Sequence, residues 1–548
     1  MNTHPSRSFG KLAPLFCGAI LGISSPLTAQ TIWKGTGGTG GDGNWNTAAE
    51  WSAGIPSANT ARFQVDGTYT SATAVVGVTS SPTTANGVEV GKGKTVTLNL
   101  SDTVALNAAG GNSRIGAIIG TGTGAANLTV SGPASGSASM DFSRFDVVVG
   151  SSLTFTGSHL SVTSSGDSSV GRATDATGNG NSMSILDGAT FTSVSSGALA
   201  IGRDGSSSNN TVLVSGTGST LSARGIAVGT AGANSGNSLK VQNGGKVTTT
   251  LAAAAGGTGT GANSNYYEAT GAGSEIIFGN NFSLGDSAGT ANTGGNYLRV
   301  ASNAIVRTSS AMTVYSYNDS GANSGSNYIK VDAGGTLTSQ SSITVNNKAL
   351  LQLAATGAIE GRTTAGVPSP ATISIQNGGR FEAAGSGLGA STTVTTTVAS
   401  GGKFAVGLTG GTASTLTLVN TNSKVTLQTG SILEMGVFGA ASNDQIAFSA
   451  ANILTVQTGI TFKLTLEGYT PVSGDSWNFI TGSGFATGSD TNLASATFDL
   501  PTLSGGLSWD TSNFNSGGAW EIAVVPEPSI FTLVGGALVL LTLRRRRS

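Results

Sequence analysis

Six stretches in the middle of the chain open with asparagine and continue in the same alternation of apolar and polar residues. They begin at Asn181, Asn210, Asn237, Asn265, Asn296 and Asn327, at intervals of 29, 27, 28, 31 and 31 residues. In the unit at Asn237, Leu239 and Val241 alternate with polar neighbours, and Val247 follows in a second such run. A third short apolar segment ends in glycine, as at 198–202, 225–229 and 282–285. Alternation with a period of two gives a strand one apolar and one wet face, so each unit reads as three short strands. The Asn-Gly-Gly and Asp-Gly-Ala pieces between the first two strands supply the positive φ of a corner.

A unit this short cannot bury its apolar face alone, whereas stacked units build one continuous core. The spacing therefore predicts an all-β chain folded as a parallel β-helix (solenoid), one coil per repeat. No helical periodicity lies between the strands, as βαβ units would require. The repeat fades outward, with divergent coils at 127–133 and 373–381. The recurrent asparagines are expected to form a structural ladder along the axis. Their mutual hydrogen bonds would satisfy groups that cost about 1–3 kcal/mol each when buried unpaired.

Composition fits such a scaffold. Of 548 residues, 84 are glycine and only 10% are charged. Glycine has no three-residue period, which excludes collagen. The recurring Val, Ile, Leu and Phe argue against charge-driven disorder.

Residues 1–30 read as a secretory signal, with Arg7 and Lys11 before an apolar run from Leu12 to Ile23 and a cut near Ala29 or Gln30. Cys17 and His4 leave with it, so the mature chain holds no thiol and the single His159. Disulfides, thiol nucleophiles and cysteine zinc sites are thereby excluded, and neither a metal site nor a cofactor is expected. His159 lies in a Ser/Thr-rich run without a nucleophile-elbow motif, which speaks against a catalytic triad.

At the other end Pro526, Glu527 and Pro528 precede an apolar run, Ile530 to Leu543, and then Arg544, Arg545, Arg546 and Arg547. The prolines favour an extended, protease-accessible entry. The run is expected to form a short transmembrane helix, with the arginines holding the tail in the cytoplasm. This order of motif, helix and basic cluster resembles the PEP-CTERM sorting signal of Gram-negative-type bacteria. The resemblance implies processing near Pro526-Glu527-Pro528 by an exosortase, and a setting on the cell surface or in an exopolysaccharide or biofilm matrix. Without both terminal signals, 20 of 26 Lys and Arg and 26 of 27 Asp and Glu remain, a net charge of −6. No basic patch that could follow a phosphate backbone survives, so nucleic acid is not an expected partner.

The opening stretch carries Trp33, Trp45 and Trp51, with Gly-Asn-Trp and then Trp-Ser-Ala-Gly-Ile-Pro. It resembles the start of secreted proteins with autotransporter-associated β-strand repeats. Two readings stand here: a cap over the first coil, or sugar stacking on exposed tryptophans. The resulting organisation is a signal peptide (1–30), a Trp/Gly-rich β cap (31–90), the repeat region (91–429, clearest at 181–340), a C-terminal β region (430–525) and the sorting signal (526–548).

Gly37 to Asn44 matches only one turn of a calcium β-roll, and neighbouring turns are needed to complete coordination. Gly87 to Thr95 lacks the first glycine of a phosphate loop and reads as a hairpin-like turn. A polysaccharide lyase or glycosidase would need carboxylates and basic residues on one face, for which Arg172, Asp175, Arg203, Asp204, Asp286 and Asp319 are the candidates. Each lies in a Gly/Ser/Asn-rich turn, where backbone capping is the commoner role. The reading is thus a secreted, non-enzymatic structural β-helix; the alternatives are a polysaccharide-active enzyme and a glycan-binding adhesin.

Overall fold

The computed structural model describes residues 30–527, apart from stretches at 35–42, 46–47, 53–55, 57–59, 64–70, 77–82, 119–121, 173–177, 195–196, 230–233, 257–261, 286–293, 316–325, 420–422, 450, 452 and 515–519. Within them the chain winds as an all-β parallel solenoid of three faces. The coil after Asn237 shows the pattern: Ser238–Gln242 on the first face, Lys246–Thr249 on the second, Ala253–Ala255 on the third.

Every first-face strand pairs in parallel with its equivalent one coil on, unbroken from Gly43–Asn44 to Thr497–Asp499. The third face runs likewise from Ser168–Val170 to Leu454–Val456. Two earlier strands, Ala105–Ile115 and Ala138–Val147, are long enough to serve the second and third faces together.

Register explains the core. Leu239, Tyr267, Leu298, Ile329, Leu351, Phe381, Phe404, Leu433 and Phe462 oppose one another in successive strands and are all fully buried. A parallel ladder spaces neighbouring strands by about 4.8 Å, so these columns touch along the axis. Because side chains alternate between faces, a one-residue slip would expose the whole column to water.

Coil stacking reaches beyond 91–429 in both directions, for 43–44 and 71–76 already belong to the first-face ladder, as do 461–466 and 497–499. Gly87 to Thr95 is a solenoid corner and no hairpin. Gly87–Val90 pairs with Thr60–Phe63 on one face, and Thr95–Leu100 with Ser71–Val76 on another. Past the last coils, Ser476–Asn478, Glu521–Pro526 and Leu507–Asp510 form a small antiparallel sheet, with Glu521–Pro526 in its centre.

Among the described residues the one α-helix is Ser489–Ala494, and no helix is long and apolar enough to cross a membrane. Of the segment read as a signal peptide (1–30), all but Gln30, which opens the strand Gln30–Ile32, lies outside the described residues, as do the segment read as a transmembrane helix (Ile530 to Leu543), Pro528 and Arg544 to Arg547.

Candidate functional site

The six asparagines occupy one corner, each directly before a first-face strand, and all are buried. In the first five, the backbone N–H and side-chain Nδ2 both donate to Oδ1 of the next, while Asn327 Nδ2 donates to Tyr315 O. From Asn181 to Asn210 these bonds measure 2.9 and 2.8 Å, and from Asn237 to Asn265 3.1 and 2.9 Å. The same pair recurs for Asn210, Asn265 and Asn296. A second Nδ2 hydrogen reaches a backbone carbonyl, as from Asn265 to Asn234 at 3.0 Å.

The glycine closing the third strand belongs to this device. Gly202, Gly229 and Gly256 have φ of 70°, 60° and 70°, and a Cβ on them would run into Asn237, Asn265 and Asn296. Glycine is needed there for both backbone and space.

Sugar stacking on the opening tryptophans is ruled out by burial. Trp33, Trp45 and Trp51 are at most 2% exposed and pack edge-to-face and tilted around Phe63, with ring centroids 4.8 to 6.4 Å apart. Their apolar area fills the first of the described coils.

The Arg/Asp turns do not converge on a site among the described residues. Arg172 bonds Asp146 at 3.1 Å. It thereby extends a third-face column of alternating charge, Arg62, Glu89, Arg114 and Asp146, set side by side by strand register. Arg203 and Asp204 are half-buried in the turn after Gly202, while Asp175, Asp286 and Asp319 lie outside the described residues. His159 is half-buried in a turn, its carbonyl accepting the Ala138 N–H. Pro526 and Glu527 are exposed and extended, but they are no free linker: Pro526 opposes Leu507 in the sheet, and the Glu527 N–H bonds Gly506 O at 2.7 Å.

The most developed cluster of titratable side chains lies elsewhere, on the outside of the first face over Arg380–Ala383, Lys403–Val406, Ile432–Gly439 and Thr461–Leu466. Register aligns Glu382, Ala405, Glu434 and Lys463 in one outward row, and Gly436 opposes Thr465. Ala405 and Gly436 carry little or no side chain, so a small, solvent-open hollow forms between their neighbours. Glycine at 436 keeps the hollow open, since a Cβ would stand 2.9 Å from the Phe438 ring and 3.0 Å from Asp444 Oδ2.

Arg380 leans across the Ala405 coil to reach Glu434, 54 residues on, at 2.8 Å, and also bonds Glu382 at 2.7 Å. Burial opposes ionisation of Glu382, but hydrogen bonds from Thr409, Arg380 and Gln352 outweigh it and hold the carboxyl below its usual range.

Asp444 repeats the ladder logic at another corner, directly before the second-face strand Gln445–Phe448. Its Oδ1 accepts the Ser414 N–H at 2.9 Å and its Oδ2 the Gly436 N–H at 2.8 Å. Burial dominates and, with the Glu467 charge nearby, overrides these bonds, pushing the carboxyl up to about 6. No signal in the sequence marked this groove, because its members are scattered from Arg380 to Glu467 and meet only through register. Among the described residues no group of His, Cys, Asp or Glu could hold a metal ion. No protein-family model matches the chain, and neither does any curated protein.

Proposed function

We propose that this protein is an exported structural β-helix, delivered to the cell surface or extracellular matrix and associated there with exopolysaccharide. The observation that carries the structural role is the continuous solenoid, locked at one corner by a one-way chain of asparagine bonds and filled at both ends by aromatic clusters. Such a stack offers an extended, regular surface, and added coils lengthen it without altering its section. The export route rests on the terminal segments: the apolar leader, and Pro526, Glu527 and Pro528 before an apolar run and four arginines. An exosortase is the processing partner under this reading, and the membrane stage is transient.

Fractionating cells that express a Pro526→Ala, Pro528→Ala double variant tests it. Unprocessed protein retained in the inner membrane is expected, and release equal to that of the unaltered chain rejects the sorting reading.

One observation favours a polysaccharide-active enzyme as second reading: Asp444, with its raised pKa, lines a groove together with Glu434 and Glu467. Carboxyls of unequal pKa are what glycoside hydrolysis requires. Both Asp444 oxygens are nevertheless committed to backbone N–H groups, the geometry of a staple. Incubation with exopolysaccharide is therefore expected to yield no new reducing or unsaturated ends.

A further inference from the structure

We infer that the first-face groove is a saccharide-binding site, built for a neutral or amine-bearing sugar unit and against an anionic one. This names the matrix contact of the structural reading above and rests on it for biological setting alone. The hollow is open to solvent and lined by Arg380, Glu434, Phe438, Asp444 and Glu467, so it meets one edge of a sugar unit and does not enclose it.

Its chemistry is that of hydroxyl recognition. Sugar hydroxyls donate and accept, and are matched by carboxylates that only accept beside a guanidinium that only donates. Arg380 is fixed between Glu382 and Glu434, so little side-chain freedom remains to be lost on binding. Half-buried Phe438 forms an apolar wall against which the C–H face of a pyranose can pack. Glu467 stands exposed at the rim, with no cation in ion-pair contact among the described residues.

Charge selects the ligand class. Among the side chains that line the hollow, Glu434 and Glu467 outnumber Arg380 even when Asp444 carries its proton. A uronate or a sulfated or phosphorylated sugar is repelled by this excess, and a protonated amine is drawn to Glu467. The row further up the first face has no acidic excess: Lys240, Arg299 and Lys330 stand beside Glu268 and Asp332, and Arg299 is shared between the two carboxylates at 2.8 and 2.7 Å.

Calorimetric titration of the purified full chain with short oligomers of glucosamine, N-acetylglucosamine and galacturonate tests the inference. Glucosamine and N-acetylglucosamine oligomers should bind, the former more tightly, and galacturonate should not. Glu467→Gln, at an exposed position, should leave melting unchanged and weaken glucosamine binding by about tenfold. Phe438→Ala should weaken both sugars by about fivefold. Failure of both sugars to bind, galacturonate binding as tight as glucosamine, or unchanged affinity in Glu467→Gln each overturns the proposal. If the sugars bind while the Pro526, Pro528 variant is released normally, the export reading falls and the groove stands. The reverse pair of results removes the groove alone.

Discussion

The coils from Asn181 to Ser339 and those from Arg380 to Leu466 share one backbone register but use it differently. In the first set the corner before the first face is always asparagine, and the outward row is mixed in sign with basic residues in excess: Lys240, Glu268, Arg299 and Lys330 oppose one another, while Tyr266, Tyr297 and Tyr328 stack nearly parallel with centroids 4.5 and 5.0 Å apart. Burial, together with the flanking Tyr266 and Tyr328, lifts the Tyr297 phenol above its usual range. In the second set the same corner holds Gly379, Gly402, Ser431 and Ile460, and the outward row places Ala405 and Gly436 among charged and aromatic neighbours. Uniform outward residues give a smooth wall; uneven ones, on the same scaffold, give a groove. A solenoid can therefore acquire a site by changing a few outward residues without disturbing the core.

Substitutions can break this contrast, beginning with a change that ignores it. Val241→Asp should unfold the middle coils, because an unpaired charge in a dry stack costs several kcal/mol; a wild-type melting curve would show that Val241 does not face a core. Asn265→Ala should cost about 3 kcal/mol, since it strands the Asn237 N–H, takes one of two partners from Asn237 Nδ2 and removes both bonds of Asn265 Nδ2. Chemical denaturation that shows a loss below about 1 kcal/mol would mean the ladder is dispensable.

Arg380→Met leaves Glu382, with a side chain 1% exposed, without its cation, and should cost about 3 kcal/mol. Asp444 gives the carboxy-terminal set a pH dependence that the asparagine ladder lacks. Its folded pKa of about 6 exceeds its usual 3.8, so in that interval the unfolded chain binds fewer protons and stability falls as pH rises, by roughly 3 kcal/mol in total. Asp444→Asn should abolish this slope; denaturation midpoints still falling equally from about pH 4 to pH 6 in the variant would clear Asp444 of responsibility. The smallest effect belongs to Ser431→Ala, at the corner equivalent to Asn265. The Ser431 hydroxyl is buried without a hydrogen-bond partner, so its removal should change stability by less than about 0.5 kcal/mol.

The three-strand coil was legible because its cues are local: alternation, a corner glycine and an anchor recurring at Asn181, Asn210 and Asn237. The glycine that closes each third strand was visible, but its reason was not. Gly229 abuts Asn265, past the intervening Asn237, a contact that exists only once coils are stacked. The tryptophans could be read as a plug or as a sugar platform from the sequence, and only packing around Phe63 separates the two. The Arg/Asp turns looked equivalent along the chain, yet Arg172 turns to Asp146, a strand residue absent from that pattern.

The sequence by itself determined a parallel all-β stack with no thiol in its body, because strand period, corner residues and cysteine content need no knowledge of long-range pairing. Tertiary structure decided which outward side chains meet. Coil length changes after Asn327, so the alignment of Glu382 with Ala405 and Glu434, and the reach of Arg380 across 54 residues, follow from register alone. Register is set by the buried columns, whose apolar area outweighs any pairwise preference of surface charges. The outward chemistry of this protein is thus carried wherever its core places it.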